Sequence, residues 1–257
     1  MVFWDQITWV EFEELVDSST VALLPIGSVE QHGMHLPLGL DYLIVDEISR
    51  KLVVKANNLG FKVIKLPSIP YGLSSMWSGN PGTLEVSDES FINYLYDLIK
   101  SIIRCGISKV LIFNGHAGNA DALRIVARRV VNDVGSDSVV VVTSWWELVG
   151  DLINDVFESK FYHADEVETS VAMALGIRVI HEKIVSSSID RKYDDFWHSL
   201  DLTKRPKLYV YRFEGVRRSP GSYGSPEKST YEKGMVLVNS ILDRSVKLIQ
   251  DLLAGKI

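Results

Sequence analysis

The sequence predicts an α/β fold, a single domain with a mainly parallel β-sheet flanked by helices. Three observations carry this. Short apolar runs rich in Val, Ile and Leu alternate with longer segments of helical spacing, the order expected of βαβ units. Hydrophobic residues make up 46% of the 257 residues, enough for one sizeable core. No internal repeat, low-complexity tract or linker divides residues 1–257, so they read as one domain.

The elements follow in order. Thr8 and Glu11 have the spacing of a capping box for a helix reaching Val16. Val21 to Ile26 is an apolar run of strand length. From Asp41 to about Asn58, Leu43, Val45, Ile48, Leu52 and Val53 recur at helical spacing, and Gly60 stops the helix. Phe61 to Leu66 is predicted as the second strand, and Pro67 to Gly82 as a long loop. Asp88 to Arg104 reads as a helix closed by Gly106. Lys109 to Phe113 is the third strand and is followed by Asn114-Gly115-His116-Ala117-Gly118-Asn119. A helix from about Asp121 to Val134 leads to a fourth strand, Ser138 to Thr143, which ends at Ser144-Trp145-Trp146-Glu147. A further helix is predicted to start near Ala164 and to run to Gly176. Residues 186–230 are irregular, aromatic and basic, although Leu208, Tyr209, Val210, Tyr211 and Phe213 have the look of a strand. Glu232 to Leu253 is the last amphipathic helix.

Composition excludes several function classes. A formal charge of −6 argues against a nucleic-acid footprint. Cys105 is the single cysteine, so neither an intrachain disulfide nor a thiolate zinc cluster can form. A reducing, cytoplasmic setting fits that count. No apolar run approaches the roughly 20 residues of a membrane helix, and Met1 to Gln6 lack a basic and apolar leader.

The chemistry concentrates after strands. The first strand runs into Gly27 to Asp41, a rigid stretch holding Glu30, His32, His35 and Asp41. Those ligand types suit divalent Zn, Mn or Fe. Glu30 and His32 are two apart, so in extended backbone both reach one side. Asp41 stands at a predicted helix start, where a carboxylate either caps the helix or offers two oxygens to two ions. The third strand delivers His116, flanked by Gly115 and Ala117, which allow close approach. Ligands gathered outside the carboxyl ends of parallel strands mark a site. His163-Ala164-Asp165-Glu166-Val167-Glu168 is a second acidic cluster, in which Asp165 and Glu168 would share a helix face if the helix begins near Ala164. Asp165 and Glu166 read equally as helix-start acids. His181 and His198 have no ligand-rich surroundings. Ser28 and Ser74 lack the Gly-x-Ser-x-Gly elbow of a serine hydrolase, and the mixed, numerous ligands do not suit a structural zinc site.

The run Pro25 to Gly33 with His35-Leu36-Pro37-Leu38 and Asp41 resembles the signature of the creatininase (creatinine amidohydrolase) family. Asn114 to Asn119 and His163 to Ser170 are similar to its second and third motifs. Tyr71-Gly72-Leu73-Ser74 with Pro81-Gly82-Thr83, and Gly221 to Pro226 with Glu232-Lys233-Gly234, match weaker stretches. The resemblance implies a creatininase-like fold with two divalent metal ions (Zn, Mn or Fe), a small-molecule amide substrate, and a homo-oligomer, commonly a hexamer. It implies Glu30 and His116 on one metal, His32 on the other, Asp41 bridging, and His163 as catalytic histidine. Creatinine-cleaving members carry a Glu two residues after the His116 equivalent, where this chain has Gly118. Glu168 is the expected replacement, as ligand and catalytic carboxylate. Ser74, Trp77, Gly115, Trp145 and Trp146 are the expected substrate contacts, with Asn114–Asn119 amides near the oxyanion. Trp77 stands where many relatives have His, and Asn80 where they have an aromatic residue. Relatives with Gly at 118 include a formamide deformylase of flavin and deazaflavin synthesis and a peptide-trimming enzyme of cofactor maturation. Arg212, Arg217 and Arg218 would suit a substrate phosphate.

Overall fold

The computed structural model describes residues 2–135, 137–186, 201–204, 207–210 and 221–257. Among these residues four strands form one parallel sheet: β1 (Val21–Ile26), β2 (Val63–Lys65), β3 (Lys109–Asn114) and β4 (Val139–Ser144), in the order β2-β1-β3-β4. Among the described residues seven α-helices accompany them: α1 (Trp9–Leu15), α2 (Leu40–Asn58), α3 (Asp88–Arg104), α4 (Ala120–Val134), α5 (Gly150–Val156), α6 (Glu166–Ala174) and α7 (Tyr231–Leu253).

Both faces of the sheet are covered, which is why β1 and β3 read as unbroken apolar runs rather than alternating ones. Val21, Leu23, Leu111 and Phe113 point into a core shared with α2, α5, α6 and α7. Ala22, Leu24, Ile26, Val110 and Ile112 point into a second core under α3 and α4. Register sets the rim. Ile26 lies level with Asn114, and Asn114 with Ser144, so three strands end together and release their loops at one edge. Among the described residues, no helix is long and apolar enough to cross a membrane.

Local chemistry explains where the boundaries differ from the sequence reading. The Thr8–Glu11 capping box forms in full. The second strand is shorter than Phe61 to Leu66. Gly60 adopts φ +88 after α2, and the Phe61 amide bonds back to Ala56 O, closing the helix instead of joining the sheet. The helix expected near Ala164 begins at Glu166, because Asp165 is its N-cap and accepts from the amides of Val167 and Glu168. Asp165 and Glu168 therefore do not share a helix face. Helix α5 was not foreseen. It is seven residues long and buries Ile153 alone, too little for a visible period. Leu208, Tyr209 and Val210 form no strand and are exposed. Tyr211, Phe213, His198, Arg212, Arg217 and Arg218 lie outside the described residues.

Candidate metal centre

Close backbone packing brings the strand ends onto the start of α2. A Cβ on Gly27 would stand 2.3 Å from Tyr42 Cα, and one on Gly115 would stand 2.4 Å from Asp41 O. Glycine at both positions lets the ends of β1 and β3 press against the first turn of α2. Asp41 is thereby wedged between the two loops. The Glu30 amide donates to Leu38 O at 2.8 Å, and Val29 pairs with Leu84, which holds Glu30 to His32 in place. Asn119 ties the same rim together, accepting from the Leu73 amide at 2.9 Å and donating to Gly27 O at 3.0 Å.

Each histidine is oriented by one nitrogen and presents the other. His32 Nδ1 donates to Glu30 O at 3.1 Å, so Nε2 is turned inward, 3.1 Å from Asp41 Oδ1 and 3.9 Å from Glu168 Oε2. His116 Nε2 donates to Leu73 O at 2.9 Å. Its Nδ1 then lies 3.0 Å from Asp41 Oδ2 and 3.5 Å from Glu30 Oε1. His163 Nδ1 lies 3.9 Å from Glu30 Oε1. Second-sphere bonds of this kind fix the tautomer of a metal-binding histidine.

Three overlapping groups result: Glu30 with Asp41 and His116, His32 with Asp41 and Glu168, and Glu30 with His32 and His163. Within each, the ligand atoms lie within 4.8 Å of one another. Glu30 Oε2, His32 Nε2 and Asp41 Oδ2 are buried without a hydrogen-bond partner. Buried polar atoms are normally satisfied. Here acceptors face acceptors across a small gap, an arrangement that a divalent ion would satisfy. The donor set of carboxylates and imidazoles fits a divalent metal.

The electrostatics agree. Burial pushes Glu30 up to about 7 and Glu168 up to about 8. Burial opposes charge on His32 and His116 too. The surrounding carboxylates overrule it, Asp41 foremost at His32 and Glu30 at His116, and hold the two imidazoles at about 10 and about 9. Asp41 resists its own burial and stays well below the usual carboxylate range, because His32 and His116 flank it. His163 is held well below its ordinary value by burial and by the neighbouring His32, so it is a neutral imidazole.

The other expected residues have more varied places. Trp77 stacks on the His163 ring, centroids 4.3 Å apart, with Tyr223 stacked beyond it at 5.8 Å. Ser74 supports the cluster: its hydroxyl bonds Ser28 and Glu30, and both serines are fully buried. Gly115 faces the α2 backbone, so its role is close packing rather than a visible substrate contact. Trp145 and Trp146 meet edge to face and pack on Phe161 in the core, which departs from the expected substrate wall. A Cβ on residue 118 would stand 2.4 Å from Leu73 O and 2.5 Å from His116 Nε2, so this backbone has no room for a carboxylate there. Glu168 reaches the cluster instead, its carboxylate receiving the Ala164 amide. Sequence reasoning passed over Gln31, Asn119 and Tyr223. All three stood inside matched stretches, but Gln31 and Asn119 carry amides that no ligand argument selects, and Tyr223 lies in a weaker stretch far from His163 in sequence.

The profile of the Creatininase family, described as creatinine amidohydrolase, matches residues 5–249. The chain belongs to this family. A 3-dehydro-scyllo-inosose hydrolase of Thermotoga maritima is 26% identical over 273 residues, covering 100% of this chain and 86% of the relative. The creatinine amidohydrolase of Pseudomonas putida is 26% identical over 255 residues, 92% of each. A mycofactocin precursor peptide peptidase of Mycobacterium ulcerans is 29% identical over 162 residues, covering 62% of this chain and 59% of the relative. A solved creatininase shares the fold with a TM-score of 0.79 at 24% identity, covering 98% of both chains. A manganese creatininase does so with 0.77 at 22%, again 98% of both.

Proposed function

We propose that this chain is a two-metal amidohydrolase cleaving the C–N bond of a small non-peptide amide. The observation that carries the reading is Asp41, whose two oxygens face different histidines, Oδ1 to His32 and Oδ2 to His116. A carboxylate so placed can bridge two ions, with Glu30 and His116 on one side and His32 and Glu168 on the other. Two such ions, when bound, would acidify a water and polarise a carbonyl.

The protein groups do the rest. Neutral His163 has a nitrogen facing the cluster and can take a proton from the attacking water and pass it to the leaving nitrogen. Trp77, lying flat on that ring, limits how it turns and helps keep bulk water off it. Ser28 and Ser74 are bonded to each other, and Ser74 also to Glu30, which leaves neither as a free nucleophile.

For the substrate, the closed position at Gly118 weighs against creatinine as the natural molecule and favours a formamide such as a formylaminopyrimidine ribonucleotide. A peptide is the second reading, and it rests on the likeness to the mycofactocin peptidase. The test is kcat/KM of zinc- or manganese-loaded protein for creatinine, a formylaminopyrimidine phosphate and a short peptide. The formamide should be fastest. Creatinine turnover above roughly 10⁴ M⁻¹s⁻¹, a native-substrate value, refutes the assignment. The homo-oligomer that the family resemblance implies is checked by light-scattering mass.

A further inference from the structure

Gln31 lies between Glu30 and His32, is 8% exposed, and has a partner for every polar group. Its amide donates to Thr83 Oγ1 at 3.1 Å. Its side-chain Oε1 accepts from the Gly33 amide at 3.0 Å, and its Nε2 donates to Gly221 O at 2.9 Å. Those two bonds settle which end of the carboxamide is which, because a reversed amide would set donor against donor and acceptor against acceptor.

Two groups of Gln31 remain, and both converge on one atom. Nε2 of His163 lies 2.9 Å from Gln31 Nε2 and 2.8 Å from Gln31 O. One is a donor and the other an acceptor. Bearing a proton, His163 Nε2 donates to Gln31 O. Without one, it accepts from Gln31 Nε2. The ring is clamped between Trp77 and His32, and the Tyr223 amide holds the His163 carbonyl at 2.8 Å. A clamped ring cannot swap partners by turning, but its proton can change nitrogens.

We propose that Gln31 is a positioning residue that brackets Nε2 of His163, keeping both neutral tautomers satisfied with Nδ1 aimed at the ligand cluster. Nδ1 then shows the cluster a lone pair in one state and an N–H in the other. Exchange between the tautomers runs through water or substrate, one nitrogen taking up a proton as the other releases one, so no net acid or base is consumed. This rests on the reading of His163 as the proton carrier.

The test is ¹⁵N NMR of the His163 ring in zinc-loaded protein. In the wild type, both nitrogens should show shifts averaged between the two tautomers. Gln31→Met removes the side-chain donor but keeps Gln31 O, and should lock the Nε2–H tautomer. Gln31→Glu, which keeps shape and offers only acceptors, should do the same and covers the case in which the first variant fails to fold. With the fastest amide of the panel above, kcat should fall about tenfold or more, with KM within about twofold and zinc content unchanged. A single tautomer in the wild type, a metal-bound Nδ1, or unchanged tautomers in both variants overturns the proposal. If His163→Gln retains full turnover, the proton-carrier reading fails on its own, whatever the NMR of Gln31 variants shows.

Discussion

Loading metal into this site should expel protons in a number that depends on pH in a way set by four residues. The perturbation is titration of zinc into metal-stripped protein. In that protein His32 is held at about 10, His116 at about 9, Glu168 at about 8 and Glu30 at about 7. All four must give up protons to act as ligands. At pH 5.5 all four are protonated, so binding should release about four protons per chain. At pH 7.5 the histidines are still charged, Glu168 is mostly protonated and Glu30 mostly not, so the count falls to about three. At pH 9.5 the ligands' share falls to about one, roughly three quarters of it from His32 and the rest from His116. Apparent zinc affinity should rise with pH over the same range. Calorimetry in buffers of different ionisation enthalpy reads the number directly. Release of less than about one proton at pH 7.5, or a count that does not fall with pH, would show that these residues are not the ligands.

The same groups make the metal-stripped protein bind more protons folded than unfolded. His32 and His116 are raised, so their contribution is present below the unfolded value of 6.5 and lost as pH climbs through about 9 to 10. Glu30 and Glu168, raised by burial, become costly from 4.5 upward until about 7 and 8. The lowered His163 and His35 oppose this up to about 6.5, so thermal scans of stripped protein should show Tm falling from about pH 7 to pH 10, and a rising Tm there would contradict the site's electrostatics. His116→Ala should retain at most one ion per chain by atomic absorption and lose turnover by about 10²-fold or more. Glu168→Gln should lose only the weaker ion, and full occupancy of both in either variant removes that residue from the site. In Gly234→Ala the new Cβ would meet Ser170 O at 1.9 Å, so α7 must move off α6. Stability should drop by about 1–3 kcal/mol, with the ion nearest Glu168 lost first.

Much of this was legible because glycine and apolar residues obey local rules. The βαβ order, Asp88–Arg104 to the residue, and the strand β1 follow from period and punctuation alone. Glu30, His32, Asp41 and His116 could be grouped because parallel strands release their loops on one rim. The support around them was not legible. Gly115 looked like a place for substrate, and only the path of α2 reveals that Asp41 O fills that space. Trp145 and Trp146 follow a strand as site residues do, yet Phe161, sixteen and fifteen residues later, draws both into the core. The helix start at Glu166 depended on whether Asp165 would cap or continue, and its carboxylate takes the amides of Tyr162, Val167 and Glu168.

The carboxylate at 168 shows how the two halves of the centre are built by different parts of the fold. His116 faces the cluster because its Nε2 is tied to Leu73 O, and that tie brings Leu73 against residue 118. The contact that aims one ligand therefore forbids a second carboxylate two residues later. The replacement comes from α6, across a turn in which Ala164 takes φ 47. A left-handed alanine costs on the order of 1–3 kcal/mol and persists only where its surroundings impose it. Here the imposition is visible: the Ala164 amide donates to Glu168, and Asp165 caps α6 from the adjoining position. Straightening the turn would separate His163 from Glu168. An ion held by Glu30 and His116 would thus rest on the sheet ends, whereas one held by His32 and Glu168 would rest also on α6 and on its seat against Gly234 of α7. Strain at 164 and close packing at 234 belong to one device, and an ion held there is the one that would register damage to either.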